Sequence, residues 1–334
     1  MPPRFPRPQT CARRPIPTPS TSSFPWPPRA PWRCVVFACK TAPSRTWTLS
    51  STKLFASLLL LCLVALPAGA DEDSANDTLL GVGAHFAWIV FDAIEADLEA
   101  KTGRKINLYG KNSMLGVGCN AAIKLAKQAT ENRETFGFVC CPLSEEEVER
   151  EGLIVYPLAL EPILILVRED NPVDNLSSTQ VRAIFRGEIT NWREVGGTDK
   201  PIVLVTRLHC KKRPGHWKTI LPAPKDFSKT RLNVNSAATM IQRINDFSGA
   251  IGHTGATWVF EPGDRVKALR IDGNRPTAAN LANGHYPFFR QLSAVTNRTP
   301  SADILKLIHE ARHGAAFLRV ARKYELLPLQ PQTP

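Results

Sequence analysis

Two histidines, a cysteine and several cations lie close together in the sequence TRLHCKKRPGHW, residues 206–217. The apolar run PIVLV, residues 201–205, comes directly before them and is typical of a buried strand. A loop at the end of a strand can hold ligand-binding side chains while the sheet keeps that loop in place. Imidazole and thiol groups bind thiophilic metal ions, and a Cys beside a His can also act as a nucleophile with its base. This loop is therefore the first candidate for a functional site.

The first 70 residues differ in composition from the rest of the chain. Residues 1–50 hold 12 of the 28 prolines and no Asp or Glu, so we predict a disordered or spurious N-terminal extension. Lys53 precedes the apolar run LFASLLLLCLVAL, which is too short to span a bilayer, and the small residues PAGA follow, ending at Ala70. This pattern predicts a signal peptide over 51–70, cleaved near Ala70, and an exported, periplasmic protein.

The net charge of the chain depends on that cleavage. Nine of the 42 Lys and Arg lie in residues 1–70, so 33 remain against 30 Asp and Glu, a formal net charge of +3. No predicted helix or strand face carries the clustered cations and aromatic residues of a nucleic-acid interface. We therefore predict no nucleic-acid partner.

Four cysteines remain after the predicted cleavage, namely Cys119, Cys140, Cys141 and Cys210. In an exported protein, four cysteines are commonly two disulfides. A bond between the neighbours Cys140 and Cys141 would be strained, so at most one bridge from elsewhere to this pair is expected. The other interpretation is that the thiols are free and bind a ligand, and the residues alone leave both interpretations open.

Strand and helix patterns alternate along the rest of the chain, which predicts an α/β architecture. The predicted strands are 78–82, 105–109, 135–139 and 201–205, with one or two buried strands over 153–167, broken near Glu161-Pro162. The predicted helices are 84–100, one beginning near Gly118, 144–152, 178–187, 235–247 and 302–313.

The first two predicted helices each begin at a glycine-containing turn. The N–H groups of the first turn of a helix have no intrahelical partner, and they favour a bound anion. Two such helix ends within a short stretch of chain predict an anion site. The candidate residues are Gly83, Ala84 and His85 at the first helix, and Gly118, Cys119 and Asn120 at the second.

The sequence DNPVDNLSSTQVRAIFRGEITNWREVGGTDKPIVLVTR, residues 170–207, resembles the phosphate-binding proteins of ABC transporters. The similarity lies in the order NP, LS, IF-x-G-x-ITNW, strand and Arg, and it extends from about Leu79 to Thr296. The resemblance implies a two-lobed type II periplasmic binding protein fold with a ligand cleft between the lobes. It implies lobe 1 over 77–162 and 254–334, lobe 2 over 163–253, a monomer, and an ABC permease or membrane sensor as partner.

This chain departs from the family pattern at the loops that the resemblance places around the ligand. It has GVGCN and RLHCKKRPGH where the family has small or hydroxyl residues, and Arg207 alone matches the second motif clearly. We therefore expect a small inorganic ligand, with a thiophilic metal or metalloid ion as the main expectation. Its expected ligands are Cys119, Cys140, Cys141, His209 and Cys210. The alternative is phosphate or a related oxyanion held by Arg207, the helix N-termini and His85.

An enzyme is the remaining alternative, with Cys210 as nucleophile and His216 as base in a hydrolase. The chain lacks the local sequence signature of such a site. We therefore predict a binding protein rather than an enzyme, with no cofactor beyond a bound thiophilic ion.

Overall fold

A computed structural model of the chain describes residues 78–109, 118–130, 133–210, 213, 215–258 and 260–329. The predicted extension (1–50) and signal peptide (51–70) lie outside the described residues. Within the described ranges, no helix is both long and apolar enough to cross a bilayer.

Strands and helices alternate as the sequence predicts. The strands are β1 (Thr78–Gly83), β2 (Lys105–Tyr109), β3 (Thr135–Val139), β4 (Leu153–Arg168), β5 (Asn175–Leu176), β6 (Val203–Thr206), β7 (Leu232–Asn233), β8 (Ala250–Gly255), β9 (Val266–Ala268), β10 (Arg270–Ile271), β11 (Phe289–Asn297) and β12 (Leu327–Pro328). The helices are α1 (His85–Asp92), α2 (Glu95–Thr102), α3 (Cys119–Ala126), α4 (Glu145–Glu151), α5 (Ser178–Arg186), α6 (Ala237–Asp246), α7 (Ala278–Ala282), α8 (Ala302–His313) and α9 (Ala315–Lys323).

The main sheet has the order β2-β1-β3-β11-β4-β8-β6-β7, and β9 and β12 also pair with β4. β1 pairs in parallel with β2 and β3, and β6 pairs in parallel with β8, whereas β11 and β4 are antiparallel. Parallel strands need helical crossovers, which the intervening helices supply.

The helix predicted over 84–100 is interrupted, so the prediction of one continuous helix is wrong. α1 ends at Asp92 and α2 begins at Glu95, and between them Ile94 has a non-helical φ of −123° and ψ of 1°. The apolar face of the prediction is nonetheless correct, since its four residues are buried: Phe86, Val90, Ile94 and Leu98.

Strand β4 is continuous over 16 residues, so the predicted break near Glu161-Pro162 is wrong. Pro162 lies opposite Phe289 at the end of the β11 pairing, and the next residue, Ile163, is paired with Gly255 of β8. Proline cannot donate a ladder hydrogen bond, but it is tolerated where one strand partner gives way to another.

β4 connects the hydrophobic cores. Its first half packs in a first core with β1, β3, α1 to α3, α8 and α9. In its second half, side chains alternate between the two faces of the sheet. Ile163, Ile165 and Val167 lie in a second core with α5, and Leu164 and Leu166 lie in a third core with α6.

The limits of the lobes stay a prediction, but the packing of one segment differs from it. Buried residues between 269 and 288 pack in the second core, although the sequence analysis assigned the whole of 254–334 to the first lobe. The reason is that β10 pairs with β5, beside the second core, and that the Tyr286 hydroxyl donates to the carbonyl of Ile163. The chain returns to the first core along β11.

Helix α5 begins with a capping box that makes one testable contribution to stability. The Ser177 hydroxyl accepts a hydrogen bond from the N–H of Gln180, and the Gln180 side chain accepts one from the N–H of Ser177. Ser177→Ala should therefore lower the free energy of unfolding by about 1 kcal/mol, measured by urea denaturation. Ser178→Ala, one residue further into the helix, is the control and should cost less than about 0.5 kcal/mol. Equal losses in the two variants would contradict the capping role.

Candidate functional site

A small cavity lies where the first core meets the second and third cores. About 60 Å³ is available in it to the centre of a water-sized sphere, enough for a few waters or a small ion. The cavity is lined by residues of both sides of the cleft: Ala84, Gly118, Cys119, Cys140, Arg207, His209, Cys210, His216, Ala237, Thr254, Gly255, Thr257, Trp258 and Arg290. Arg207 and Arg290 are the cationic side chains among these lining residues, and none of these residues is Asp or Glu.

Three helices begin at the cavity. Ala84 and Gly118 are the N-cap residues of α1 and α3, and neither helix has a side-chain cap. Ala237, the first residue of α6, also lines the cavity. The N-terminus of a helix carries a partial positive charge and unpaired N–H groups. The three helices therefore give the cavity a positive potential and several hydrogen-bond donors.

Arg207 lines the cavity, and among the described residues no carboxylate neutralises it. Its Nε donates to the carbonyl of Asn235 at 3.2 Å, and no ion pair joins it to a carboxylate among the described residues. Burial lowers the pKa of Arg207, and the nearby Cys140, Cys210 and Cys141 act in the opposite direction. A guanidinium stays protonated in proteins in spite of such shifts.

Arg290, by contrast, is neutralised by a buried carboxylate. Glu161 has no solvent exposure and lies directly opposite Arg290 in the β4–β11 pairing. Its carboxylate accepts hydrogen bonds from the N–H of Thr257 at 2.8 Å and from the Thr257 hydroxyl at 2.5 Å, and it forms an ion pair with Arg290. Arg290 thus adds no net charge to the site.

Two buried histidines continue this network, from His216 in the wall of the cavity to His253. Arg290 Nη1 lies 3.2 Å from His216 Nδ1, and His216 Nε2 lies 3.1 Å from His253 Nδ1. Because a guanidinium can only donate, His216 accepts at Nδ1 and donates from Nε2 to His253. His253 Nε2 is buried and has no hydrogen-bond partner among the described residues.

These histidines should make the folded state sensitive to acid. Burial lowers the pKa of His253 to about 3, with His209, Arg207 and Arg290 acting in the same direction, and burial also lowers the pKa of His216, which faces it. As pH falls below about 6.5, the unfolded chain binds a proton at His253 that the folded chain does not. The free energy of unfolding should therefore decrease between pH 6.5 and 3, by about 2 kcal/mol at pH 5 from His253 alone.

Urea denaturation at pH 7 and pH 5 measures this effect. His253→Gln should be less stable than the wild type at pH 7, but its loss of stability between pH 7 and pH 5 should be smaller by about 2 kcal/mol. An unchanged pH dependence would show that His253 is not the group responsible.

The four cysteines expected to remain after cleavage have thiols that lie close together, and none of the four forms a disulfide within the described residues. Cys119 Sγ lies 3.9 Å from Cys140 Sγ and accepts a hydrogen bond from the Cys140 N–H at 3.3 Å. The thiols of Cys119, Cys141 and Cys210 lie within 4.8 Å of one another. A ring nitrogen of His209 and the thiols of Cys140 and Cys141 form a second group of the same size.

The thiols share protons unequally. Hydrogen bonds with Cys119 and then Cys141 lower the pKa of Cys210 to about 4, against the effect of burial. Hydrogen bonds with Cys140 and Cys141 lower the pKa of Cys119, whereas hydrogen bonding to Cys119 first of all raises the pKa of Cys141. The negative charge of the cluster is therefore favoured at Cys210, the most exposed of the four and a neighbour of Arg207.

Most of the residues predicted to bind a ligand lie at the cavity. Ala84, Gly118, Cys119, Cys140, Arg207, His209 and Cys210 all line it. Cys141 lies just behind the wall, within the thiol cluster. The side chain of His85 lies outside the described residues, although its backbone begins α1.

Two predicted ligand residues have a different environment. Gly83 is buried in β1, where the absence of a side chain allows close packing against Phe138 and Ala87. Asn120 is exposed, and its side-chain oxygen accepts a hydrogen bond from Arg213. Arg213 also donates to Glu147 at 2.6 Å, so the loop after β6 is tied to α3 and α4 of the first core.

The sequence analysis missed Glu161, Arg290 and Thr257. Glu161 and Arg290 stand alone in apolar segments, and a charged residue in such a segment signals a buried ion pair, but their pairing depends on long-range strand register. Thr257 gave no sequence signal, because a tight turn after β8 brings its N–H to Glu161.

Comparison with known families identifies this architecture. A family model described as a PBP superfamily domain matches residues 68–321, well over half of the chain. The chain belongs to the PBP superfamily. Within this superfamily, the chain resembles phosphate-binding substrate-binding proteins, as its sequence motifs predict.

Curated relatives match part of the chain. The phosphate-binding protein PstS of Bacillus subtilis is 31% identical over 147 residues, 43% of this chain and 47% of that protein. The phosphate-binding protein PstS of Pseudomonas aeruginosa is 27% identical over 177 residues, 46% of this chain and 54% of that protein. The chain thus spans about half the length of these curated relatives.

Solved structures match a larger part of the PBP domain. A putative phosphate ABC transporter substrate-binding protein from Clostridium perfringens, solved with bound phosphate, has a TM-score of 0.63 and 22% identity, and the match covers 76% of this chain and all of that one. An ABC-type phosphate transport receptor from Vibrio cholerae has a TM-score of 0.57 and 24% identity, covering 75% and 100%. The predicted two-lobed type II periplasmic binding protein fold is confirmed.

Proposed function

We propose that this protein is an exported solute-binding protein that binds one phosphate or related tetrahedral oxyanion in the cavity and delivers it to an ABC permease. The observation that carries the proposal is Arg207. This cation lines a small cavity with the N-termini of three helices, and no carboxylate neutralises it among the described residues.

The charges of the site favour an anion as the solute. Glu161 neutralises Arg290, whereas no carboxylate among the described residues neutralises Arg207, and the helix N-termini add partial positive charges. A partly buried charge without a partner is unfavourable in the empty protein. An oxyanion supplies that partner, since a guanidinium binds two of its oxygens and helix N–H groups bind the others.

The size of the cavity favours a small inorganic solute. The available 60 Å³ corresponds to a few waters, which is suitable for a tetrahedral oxyanion and too little for a sugar or a peptide. Thr254 and Thr257 also line the cavity, but the Thr257 hydroxyl already donates to Glu161. The remaining donors are therefore Arg207, backbone N–H groups and the Thr254 hydroxyl.

The relatives support the oxyanion rather than the thiophilic ion that the sequence made the main expectation. PstS of Bacillus subtilis and of Pseudomonas aeruginosa, and the structure from Clostridium perfringens, are all described as phosphate-binding or phosphate-transport proteins. They also support a transport role over the Cys210 and His216 hydrolase. The signal peptide predicted over 51–70 supports export. The same relatives support delivery to a permease.

Calorimetric titration with phosphate, sulfate and nitrate tests the proposal. Phosphate should bind with one site per chain. Sulfate should compete, because no carboxylate lines the cavity in the described ranges to accept the proton that hydrogen phosphate carries. Planar nitrate should bind more weakly, since it presents fewer oxygens to the converging donors. Absence of saturable phosphate binding would contradict the proposal.

A further inference from the structure

The oxyanion site leaves the thiol cluster without a role. Cys119 and Cys141 are 2% and 1% exposed, and Cys210, which also lines the cavity, is only partly buried. Three thiols within 4.8 Å of one another are an unusual feature for a site that otherwise offers hydrogen-bond donors to an anion. Thiols are poor hydrogen-bond partners for an oxyanion, but their thiolates are strong ligands for soft metal ions.

We propose that Cys119, Cys141 and Cys210 form a three-thiolate site for a thiophilic metal ion of the Zn(II) class, in the wall of the oxyanion cavity. The site shares this cavity with the proposed oxyanion site but does not depend on oxyanion binding. A Zn–S bond of about 2.3 Å in tetrahedral geometry separates its sulfurs by about 3.8 Å. The three sulfurs all lie within 4.8 Å of one another, at most about 1 Å more than this separation, so small side-chain rotations suffice.

The surroundings favour a soft dication over a hard one. None of the described residues that line the cavity is Asp or Glu, and the nearby Glu161 is already occupied by Arg290 and Thr257. Ca²⁺ and Mg²⁺ require oxygen ligands, so they are disfavoured.

The backbone at Cys210 is consistent with a specialised position. Cys210 has a φ of 55°, in the left-handed region that residues other than glycine seldom adopt. In addition, Cys210 packs against the first core although it follows β6 of the second. An ion held by Cys210 and by Cys119 and Cys141 of the first core would therefore link the two sides of the cleft.

A second grouping, Cys140, Cys141 and His209, is the alternative within the same cluster. His209 Nδ1 lies 3.2 Å from the carbonyl of Arg207, so this nitrogen donates to that carbonyl and Nε2 is left to act as a ligand. We favour the three-thiol group because three thiolates form a softer donor set than two thiolates and an imidazole. Cys140→Ser and His209→Ala separate the two groupings.

The test uses the full chain, fully reduced, with Zn(II) as the probe. The chain has eight cysteines, four of them outside the described residues, so each variant is compared with the wild type. Cys210→Ser, at a partly exposed position, should bind one tight Zn(II) fewer, with affinity at the lost site reduced at least about 100-fold, and Cys119→Ser should do the same. Cys140→Ser and His209→Ala should keep this site within about threefold. With Co(II) as the probe, the wild type should show a thiolate charge-transfer absorption that Cys210→Ser reduces.

Three results would overturn this inference. They are a Zn(II) content unchanged in Cys210→Ser, a site lost in Cys140→Ser or His209→Ala but kept in Cys210→Ser, and a reduced wild type that binds no tight Zn(II). Phosphate titration of a metal-free Cys141→Ser variant, whose substituted thiol belongs to the three-thiol group but does not line the cavity, keeps the two proposals separate. If it binds phosphate but not the additional Zn(II), both proposals hold, and if the wild type binds Zn(II) but no phosphate, only the proposed function fails.

Discussion

Replacement of Arg207 with Gln is expected to weaken phosphate binding at least about 100-fold. Removal of one partner of a hydrogen-bonded charge pair in a partly buried site costs about 2–5 kcal/mol, and about 2.8 kcal/mol corresponds to 100-fold. Arg207→Lys keeps the charge but loses the bidentate geometry of the guanidinium. Its phosphate affinity should therefore lie between those of the wild type and Arg207→Gln. Calorimetric titration of the purified variants measures these differences.

Arg243→Gln is the matched control for this experiment. Like Arg207→Gln, it removes one positive charge, in this case from α6, whose N-terminus lines the cavity. Arg243, however, is exposed near the other end of that helix and pairs with Asp246. Its phosphate affinity should stay within about twofold of the wild type, because exposed charges are screened by solvent. Similar losses in the Arg207 and Arg243 variants would mean that only net charge matters, and would contradict a specific contact.

Arg207→Gln should have little effect on the free energy of unfolding in the absence of phosphate. Arg207 has no carboxylate partner among the described residues, so Arg207→Gln removes a charge that is costly to keep in the empty cleft. A residue that weakens the empty protein and strengthens binding is typical of a functional site. Loss of binding together with a preserved free energy of unfolding would therefore distinguish a ligand-binding role from a structural one.

Replacement of Glu161 with Gln is expected to lower the free energy of unfolding by about 3–5 kcal/mol. Loss of one partner of a buried ion pair leaves the other charge unpaired, which is the costly case. Glu161 is fully buried and the Arg290 side chain is only 10% exposed. Urea denaturation at neutral pH measures the difference.

Two variants sharpen this prediction. Glu169→Gln breaks the exposed pair with Arg265 and should change the stability by less than about 1 kcal/mol. The double variant Glu161→Gln, Arg290→Met should regain part of the loss, because both charges are removed. A loss of less than about 1 kcal/mol in Glu161→Gln would show that the buried ion pair does not stabilise the pairing of β4 with β11.

Local sequence signals predicted most of the secondary structure correctly. β2 and β3 have the predicted limits, and Ser177 and Gly187 are the N-cap and C-cap of α5, as their residue types indicate. These features depend on residues close in sequence, so a short window contains the information. The interruption of the first helix and the continuity of β4 were missed because tertiary packing decides them.

The site was predictable only in part. Glycines before helices indicated the N-termini at Ala84 and Gly118, and the family resemblance brought Arg207 and the cysteines to one cleft. Neither signal could show that Glu161 neutralises Arg290, because strand register across 129 residues of chain brings them together. As a result, the sequence showed several cations but not which of them has a carboxylate partner; among the described residues Arg290 has one and Arg207 has none. This distinction favours an oxyanion.

A crystal structure of the protein with phosphate tests the central claim most directly. The account predicts one phosphate in the cavity, with its oxygens within hydrogen-bond distance of the Arg207 guanidinium and of backbone N–H groups in the first turns of α1 and α3. A phosphate bound elsewhere, or a cavity that stays free of phosphate at saturating concentration, would contradict it.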